Sequence, residues 1–208
     1  MHVKLDELDK AEYYGRLSVR QKNADYIFYL NNFSNILLKK QKYKLALAYL
    51  SKAIPEVKKA NNFYHKVGFT SLFIKALIKT KSYKQAISYG KTFLDVYQHE
   101  IFNFRWHLFF NVYLEALFFG EVYNTIVHLC KKYNFNTKEQ KLSGTKNRAP
   151  KIQWYCTLSQ YMTNSISEKK CIEKLKKSIV NTNLSDNEKQ KLAFLLKMVS
   201  PIMYKQIF

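Results

Sequence analysis

Lys42–Ala46 (KYKLA) recurs as Ser82–Ala86 (SYKQA) and again, more loosely, as Val122–Ile126 (VYNTI), so that one tyrosine returns every 40 residues. A fixed period of this size is the signature of a repeat array, in which each unit buries its apolar face against its neighbours. We therefore predict that the tyrosines of the three segments occupy equivalent positions in successive structural units.

The repetition extends to apolar residues on both sides of the tyrosine. Upstream, three sets of equivalent residues follow one another at a spacing of four, which places them on one stripe of a helix: Tyr29/Phe69/Phe109, Phe33/Phe73/Tyr113 and Leu37/Leu77/Leu117. Downstream, a second helix is predicted to begin with the set Ala46/Ala86/Ile126, followed by Tyr49/Tyr89/Leu129. Each unit is therefore predicted to be a helix, a short turn and a second helix.

A fourth copy follows when the register is shifted by five residues. Trp154, Leu158 and Met162 then take the first-helix positions, and Cys171 takes the alanine position. The predicted fold is all-α, a right-handed superhelical array of antiparallel helix pairs with about ten helices. The predicted segments are an N-terminal capping helix (1–23), four units (24–61, 62–98, 99–134 and 150–180), a basic loop (135–149) and a C-terminal capping helix (181–208).

This pattern resembles the tetratricopeptide repeat family over about residues 27–180, through the apolar first-helix columns, the tyrosine and the small residue that follows it. It departs from the family in its longer period, since the usual repeat is about 34 residues. Ser34, Ile74 and Leu114 stand where the family usually has glycine, and Lys58 and Gln98 stand where it usually has proline. A generic solenoid of helical hairpins is the alternative.

The resemblance implies that the first helices line a concave groove in which a partner peptide lies. Within each unit the corresponding residues recur every four positions and so share one helix stripe. These predicted groove residues are Asn31, Asn35, Lys39, Ser71, Lys75, Lys79, His107, Asn111, Glu115 and Gln160. Their amide and ammonium groups suit an extended, acidic segment of a partner protein. The alternative is that they form the solvated face of any such helix.

The family's carboxylate-binding clamp is not reproduced at these positions. Asn35 fits it, but Asn31 stands where a lysine is expected, and the third unit offers Asn111 and Glu115 instead of basic residues. Recognition of a C-terminal carboxylate by that route is therefore not expected.

A net charge of +20 makes nucleic acid the second class of partner. The candidate contacts lie in the 135–149 loop and are Lys138, Lys141, Lys146 and Arg148. Arginine, whose planar fork matches phosphate, supplies only four of the 35 basic residues. Solvated helix faces and a lysine-rich coding bias explain the same charge. Two classes therefore remain, a protein-interaction module and an RNA- or DNA-binding helical repeat.

No pattern of catalytic or metal-binding residues stands out. The chain has no HExxH, no Gly-rich phosphate loop and no GxSxG, and no histidine pairs with a cysteine at metal-ligand spacing. We therefore expect no enzyme activity, no cofactor and no bound metal.

The cysteines Cys130, Cys156 and Cys171 form no CxxC pair and fall on apolar helix positions. They predict buried, reduced thiols, and with them a reducing, cytoplasmic location. Met1 is followed by charged sequence, and the most apolar run, Trp106–Gly120, is interrupted by polar residues, so neither a signal peptide nor a membrane span is expected.

Local features predict helix ends. Pro55 is expected to kink or end its helix, and Pro201 to bend or end the last one. Ser185 and Glu188 have the spacing of a capping box at the start of a helix. The 135–149 loop lies outside every apolar column, so it is predicted to be dispensable for folding.

Overall fold

The computed structural model describes residues 5–21, 25–99, 106–133, 150–180 and 184–208. These residues form eleven α-helices and no strand, which confirms the predicted all-α class. None of the described helices is long and apolar enough to span a membrane. In chain order the helices are α1 (Leu5–Ser18), α2 (Tyr26–Lys39), α3 (Tyr43–Lys59), α4 (Phe63–Lys79), α5 (Tyr83–Tyr97), α6 (Trp106–Phe119), α7 (Tyr123–Tyr133), α8 (Pro150–Met162), α9 (Glu168–Val180), α10 (Asp186–Val199) and α11 (Pro201–Ile207).

Helices that are consecutive in the chain pack against each other within two compact units, Met1–Ala116 and Leu117–Phe208. In the first unit each helix from α1 to α4 packs on the next, and α2 also packs on α4. In the second unit α8 packs on α7 and α9, and α11 packs on α9 and α10. Pairing of neighbours in sequence is what a chain of helical hairpins requires.

The turn within each helix pair repeats in atomic detail. Tyr43, Tyr83 and Tyr123 are the first residues of α3, α5 and α7, so they are equivalent as predicted. The N–H of the residue before each tyrosine donates to a carbonyl five residues earlier, at 2.9, 2.8 and 2.9 Å. The intervening residues Gln41, Lys81 and Glu121 have φ of 59°, 59° and 61°. This is a Schellman-type helix end, usually made by glycine.

The repeated apolar columns form the core of the described units. The small-residue column, extended to the fourth pair, is fully buried in Ala46, Ala86, Ile126 and Cys171. The first-helix columns are buried throughout the first three pairs, except that Tyr29 is half-buried. The positions that repeat in the sequence are therefore also the positions that are buried in successive helix pairs.

The fourth pair departs from the register predicted by sequence. Its turn has the left-handed residue at Asn164, and the N–H of Ser165 donates to the carbonyl of Gln160 at 2.7 Å. The end of α8 at Met162 therefore lies 43 residues after the end of α6 at Phe119. Cys171, by contrast, lies 45 residues after its equivalent Ile126, as the sequence register predicts. Two more residues in the turn before α9 account for the difference. As a result Met162, predicted to be a core residue, is 39% exposed.

The helix-end predictions have different outcomes. Pro55 does not end its helix, since α3 continues to Lys59. Pro201 is the first residue of α11, and α10 ends two residues earlier at Val199, as expected. The capping box is confirmed, because the N–H of Ser185 donates to Glu188 Oε2 at 3.0 Å. The 135–149 loop lies outside the described residues, so the prediction that it is dispensable stays a prediction.

A buried carboxylate holds α1 against the first helix pair. Lys42 Nζ lies 2.7 Å from both carboxylate oxygens of Glu12, Arg16 lies 3.2 Å from one of them, and Lys40 bonds both Glu12 and Asp9. The hydrogen bonds from Lys40 and Lys42 lower the pKa of Glu12 to about 2. The carboxylate is thus ionised and bound by the residues that form the α2–α3 turn.

The prediction of three reduced thiols is wrong for two of them. A disulfide joins Cys130 of α7 to Cys156 of α8, with the Cα atoms 6.1 Å apart, a distance normal for such a bond. Missing CxxC spacing does not exclude a pair that tertiary packing brings together. Cys171 is a free buried thiol, and burial raises its pKa to about 11. The cysteines therefore no longer support a reducing compartment.

Candidate binding cleft

A cleft of about 270 Å³ opens between α2 and α4 in the first unit, and α6 contributes one residue to it. Its polar lining consists of amide, hydroxyl and imidazole groups from Asn31, Asn32, Asn35, Ser71 and His65. Its other lining residues are Phe28, Tyr64, Val67, Gly68, Leu72 and Leu108. The cleft is therefore an apolar concavity with a row of amides along the α2 side.

The spacing of residues on α2 explains why these side chains reach the cleft. Ile27, Leu30 and Phe33 point into the core, as do Leu37 and Leu38. Residues 28, 31, 32 and 35 follow the i, i+3, i+4, i+7 pattern and so form a second stripe of the helix. This stripe is half-buried or exposed, and it lies against the half-buried residues 65, 68 and 71 of α4.

Gly68 makes the close approach of α2 and α4 possible. A Cβ atom at Gly68 would lie 3.3 Å from Asn31 Nδ2, which is tighter than an ordinary contact. Asn31 Nδ2 donates to the backbone carbonyl of His65 at 3.3 Å, so the amide is oriented by the backbone of α4. Asn31 Oδ1 is buried and accepts no hydrogen bond. This oxygen is therefore enclosed by the protein and is not itself exposed to the cleft.

The repeat explains the apolar part of the cleft as well. Residues 28, 68 and 108 are equivalent in the first three units, and all three line the cleft. Phe28 is 46% exposed and Leu108 is 37% exposed, which is unusual for such large apolar side chains. Gly68, the equivalent residue of the second unit, has no side chain, so the space between Phe28 and Leu108 stays open.

Only some of the predicted groove residues come together here. Asn31, Asn35 and Ser71 line the cleft, whereas the lysines Lys39, Lys75 and Lys79 are exposed outside its lining. The polar groups that α2 brings to the cleft are thus amides, and the predicted ammonium donors lie elsewhere on the same helices. That amides and ammonium groups act together on one partner stays a prediction.

The predicted residues of the later units are not part of this cleft. His107 is buried, with 6% of its surface exposed, so it does not present a side chain to a partner. Asn111 and Glu115 are half-buried on α6. Gln160 belongs to the second unit, where its Oε1 accepts from Lys174 Nζ at 3.0 Å. The loop residues Lys138, Lys141, Lys146 and Arg148 lie outside the described residues.

Sequence reasoning missed the aromatic residues of the cleft. The rings of Phe28 and His65 lie 6.0 Å apart edge to face, and those of Tyr64 and His65 lie 5.7 Å apart. The available signal was the column Phe28/Gly68/Leu108, in which a glycine replaces a large apolar residue. The predicted groove consists of polar positions on the first helices, and this apolar column therefore falls outside it.

The described residues contain no cluster of three or more histidine, cysteine or acidic side chains that could hold a metal ion. No protein-family model, curated protein or solved structure matches the chain. The resemblance to tetratricopeptide repeats therefore rests on the residues of this sequence.

Proposed function

We propose that the chain is a non-catalytic protein-interaction module of tetratricopeptide-like type, which binds an extended segment of a partner protein between α2 and α4. The observation that carries this proposal is the cleft itself, in which a row of amides faces exposed apolar side chains. Amides of asparagine offer both donors and an acceptor, so they can hold the backbone of an extended peptide. Phe28 and Leu108 then provide an apolar border for one side chain of that peptide.

The charge around the cleft favours an acidic segment on either side of this anchor. Lys39 lies one turn beyond Asn35 on α2, and Lys75 lies one turn beyond Ser71 on α4. Exposed ion pairs contribute only modest energy, about 0–1 kcal/mol each. The amides and the apolar contact are therefore expected to dominate affinity, while the lysines favour acidic neighbours.

A nucleic-acid-binding function is the second candidate, supported by exposed lysines on the second helices. In the first unit Lys44 and Lys84 occupy equivalent positions on α3 and α5. In the second unit the pairs Lys131/Lys176 and Lys132/Lys177 occupy equivalent positions on α7 and α9 and are likewise exposed. Repeated basic positions of this kind attract phosphates without reading sequence.

Affinity capture from cell lysate, with and without nuclease, tests the proposal. The variant Phe28→Ala/Asn35→Ala removes one apolar and one amide contact from the cleft. We expect it to lose the protein captured by the wild type, because truncating a central anchor weakens binding by about tenfold or more. The matched control is Phe194→Ala/Asn124→Ala, which removes the same residue types from exposed positions in the second unit.

The same experiment separates the two candidate functions. Capture that survives nuclease and fails only in the cleft variant supports peptide binding. Capture that is abolished by nuclease, and is equal for both variants, contradicts the proposed function and favours nucleic acid. Circular dichroism of each variant establishes that the helices are intact.

A further inference from the structure

A second cleft, of about 340 Å³, lies on the first unit between the C-terminal ends of α3 and α5 and the first half of α4. Its walls include Val57 of α3 and Phe93 and Val96 of α5. Val96 is 61% exposed, an unusual degree of exposure for a side chain that borders an apolar space. This cleft shares no lining residue with the candidate peptide site.

The repeat shows why this space is open. Thr70 lines the cleft and is equivalent to Leu30 of α2 and Phe110 of α6. Leu30 and Phe110 are both fully buried, so in the neighbouring units this position is filled by a large apolar side chain. Threonine at the same position leaves volume that the repeat would otherwise occupy, and the cleft is the result.

Two lysines, Lys58 and Lys66, are among the residues that line the cleft, and the ammonium group of Lys66 is held in place by the protein. Lys66 Nζ donates to the carbonyl of Lys58 at 3.3 Å and to the hydroxyl of Tyr97 at 3.2 Å. It also lies 5.3 Å from the centre of the Tyr97 ring. An ammonium group has three donors, so two are engaged by the protein and one is available to a ligand. The hydrogen bonds hold the charge in a defined place on a side chain that is otherwise flexible.

We propose that this cleft binds a small amphipathic carboxylate, with its apolar body against Val57, Phe93 and Val96 and its carboxylate paired with Lys66. Its volume falls at the lower end of the range of small-molecule sites, about 300–1,000 Å³. Apolar walls with a small number of polar or charged groups that set orientation are the usual composition of such sites. A neutral hydroxyl can accept from the free donor of Lys66 but forms a weaker hydrogen bond than a carboxylate does, and a cationic ligand is repelled by it.

Octanoate and octan-1-ol are the matched probes, since they share an apolar chain and differ in charge. Titration of the isotopically labelled full chain, followed by backbone amide shifts, locates and quantifies binding. We expect octanoate to shift residues of α3, α4 and α5 around the cleft. Lys66→Met is expected to weaken octanoate binding about tenfold, the loss of one charge-assisted contact, and to weaken octan-1-ol binding much less.

Two further variants keep the test decisive if Lys66→Met disturbs the Tyr97 contact. Val96→Glu changes an exposed residue of the cleft and is expected to repel octanoate more than octan-1-ol. Thr70→Leu restores the side chain found in α2 and is expected to abolish binding of both probes and raise the melting temperature. The control, Lys52→Met, removes an exposed lysine of α3 that does not line the cleft, and should bind like the wild type.

Absence of octanoate shifts in the wild type at millimolar concentration overturns the proposal. So does octanoate binding that is unchanged in Lys66→Met, Val96→Glu and Thr70→Leu, because this would place the ligand on the general basic surface. Shifts distributed over exposed lysines of both units, and weakened equally by Lys52→Met, would overturn it in the same way. None of these outcomes bears on peptide capture by the α2–α4 cleft.

Discussion

Ala86 is fully buried on α5, which packs on α4, and Ala46 is its buried equivalent on α3. A small residue at a repeated buried position allows two helices to approach closely, so a larger one should not fit. We expect Ala86→Leu to lower the free energy of unfolding by about 1–3 kcal/mol through overpacking. Thermal melts of the variant measure this loss.

The control for this prediction is Gln85→Leu, which adds a comparable apolar side chain at the exposed neighbouring position. It should melt close to the wild type. An unchanged melting temperature in Ala86→Leu would show that the alanine column is not a packing contact.

Glu12 makes the stability of the first unit dependent on pH. Its folded-state pKa, about 2, lies below the ordinary value of 4.5 because Lys40 and Lys42 bind the ionised form. A lowered carboxylate pKa stabilises the fold above the unfolded pKa, and this contribution is lost as pH falls through the folded pKa. The contribution of Glu12 should therefore be complete above pH 4.5 and disappear toward pH 2.

The variant Glu12→Gln tests this pH dependence. At pH 7 we expect it to lower the free energy of unfolding by about 1–3 kcal/mol, because charged hydrogen bonds are lost. The difference from wild type should shrink between pH 4.5 and about 2, as measured by urea unfolding at several pH values. Glu7→Gln, exposed on the same helix, should show no such difference. A difference in the free energy of unfolding that does not change with pH would contradict an ionic role for Glu12.

The disulfide between α7 and α8 is expected to stabilise the second unit. It closes a segment of 26 residues, including the polar 135–149 stretch, and such a loop corresponds to about 3–4 kcal/mol of stabilisation in the chain-entropy account. Reduction should lower the melting temperature of the wild type. It should not change that of Cys130→Ser/Cys156→Ser, which is already without the bond.

Counting thiols supplies a second measurement of this prediction. Without reductant the denatured chain should present one reactive thiol, that of Cys171, and with reductant it should present three. The variant Cys171→Ser should retain the full effect of reduction on stability. Three reactive thiols in protein purified without reductant would show that Cys130 and Cys156 are not joined.

Repetition is the reason that the helices were predictable from sequence. Burial acts in the same way on every unit, so residues such as Phe33, Phe73 and Tyr113 carry the same signal three times. Structural features that occur only once in the chain have no such repeated signal in the sequence. The two extra turn residues before α9 and the pairing of Cys130 with Cys156 each occur once, and both depend on distances that a linear pattern does not contain.

The candidate sites were predictable only in part for a related reason. Polar columns indicated Asn31 and Asn35, but a cleft is defined by missing volume as much as by polar groups. Gly68 and Thr70 create that volume, since each is the small member of a column whose other members are large. Their identity as cleft residues required knowing which helix faces lie next to each other.

At the scale of the whole molecule, the excess of lysine is expected to cause non-specific attraction to polyanions. The net charge is +20, and exposed lysines occur on helices of both units. Phosphate contacts of this kind release counterions, so affinity falls steeply as salt rises, by about 10³–10⁵ between 50 and 200 mM for a protein making 6–10 contacts. Peptide binding that relies on amides and apolar contacts has no comparable dependence.

We therefore expect duplex DNA of any sequence to bind at 50 mM salt and to be released near physiological salt, as measured by fluorescence anisotropy over a salt series. Because many lysines contribute, Lys131→Ala should reduce the salt slope by only about one contact. The cleft variant Phe28→Ala/Asn35→Ala should bind DNA like the wild type while failing to bind the peptide partner. Tight binding that survives 200 mM salt and differs between DNA sequences would contradict this expectation. It would indicate that the partner binds the equivalent lysines of α7 and α9, and not the α2–α4 cleft.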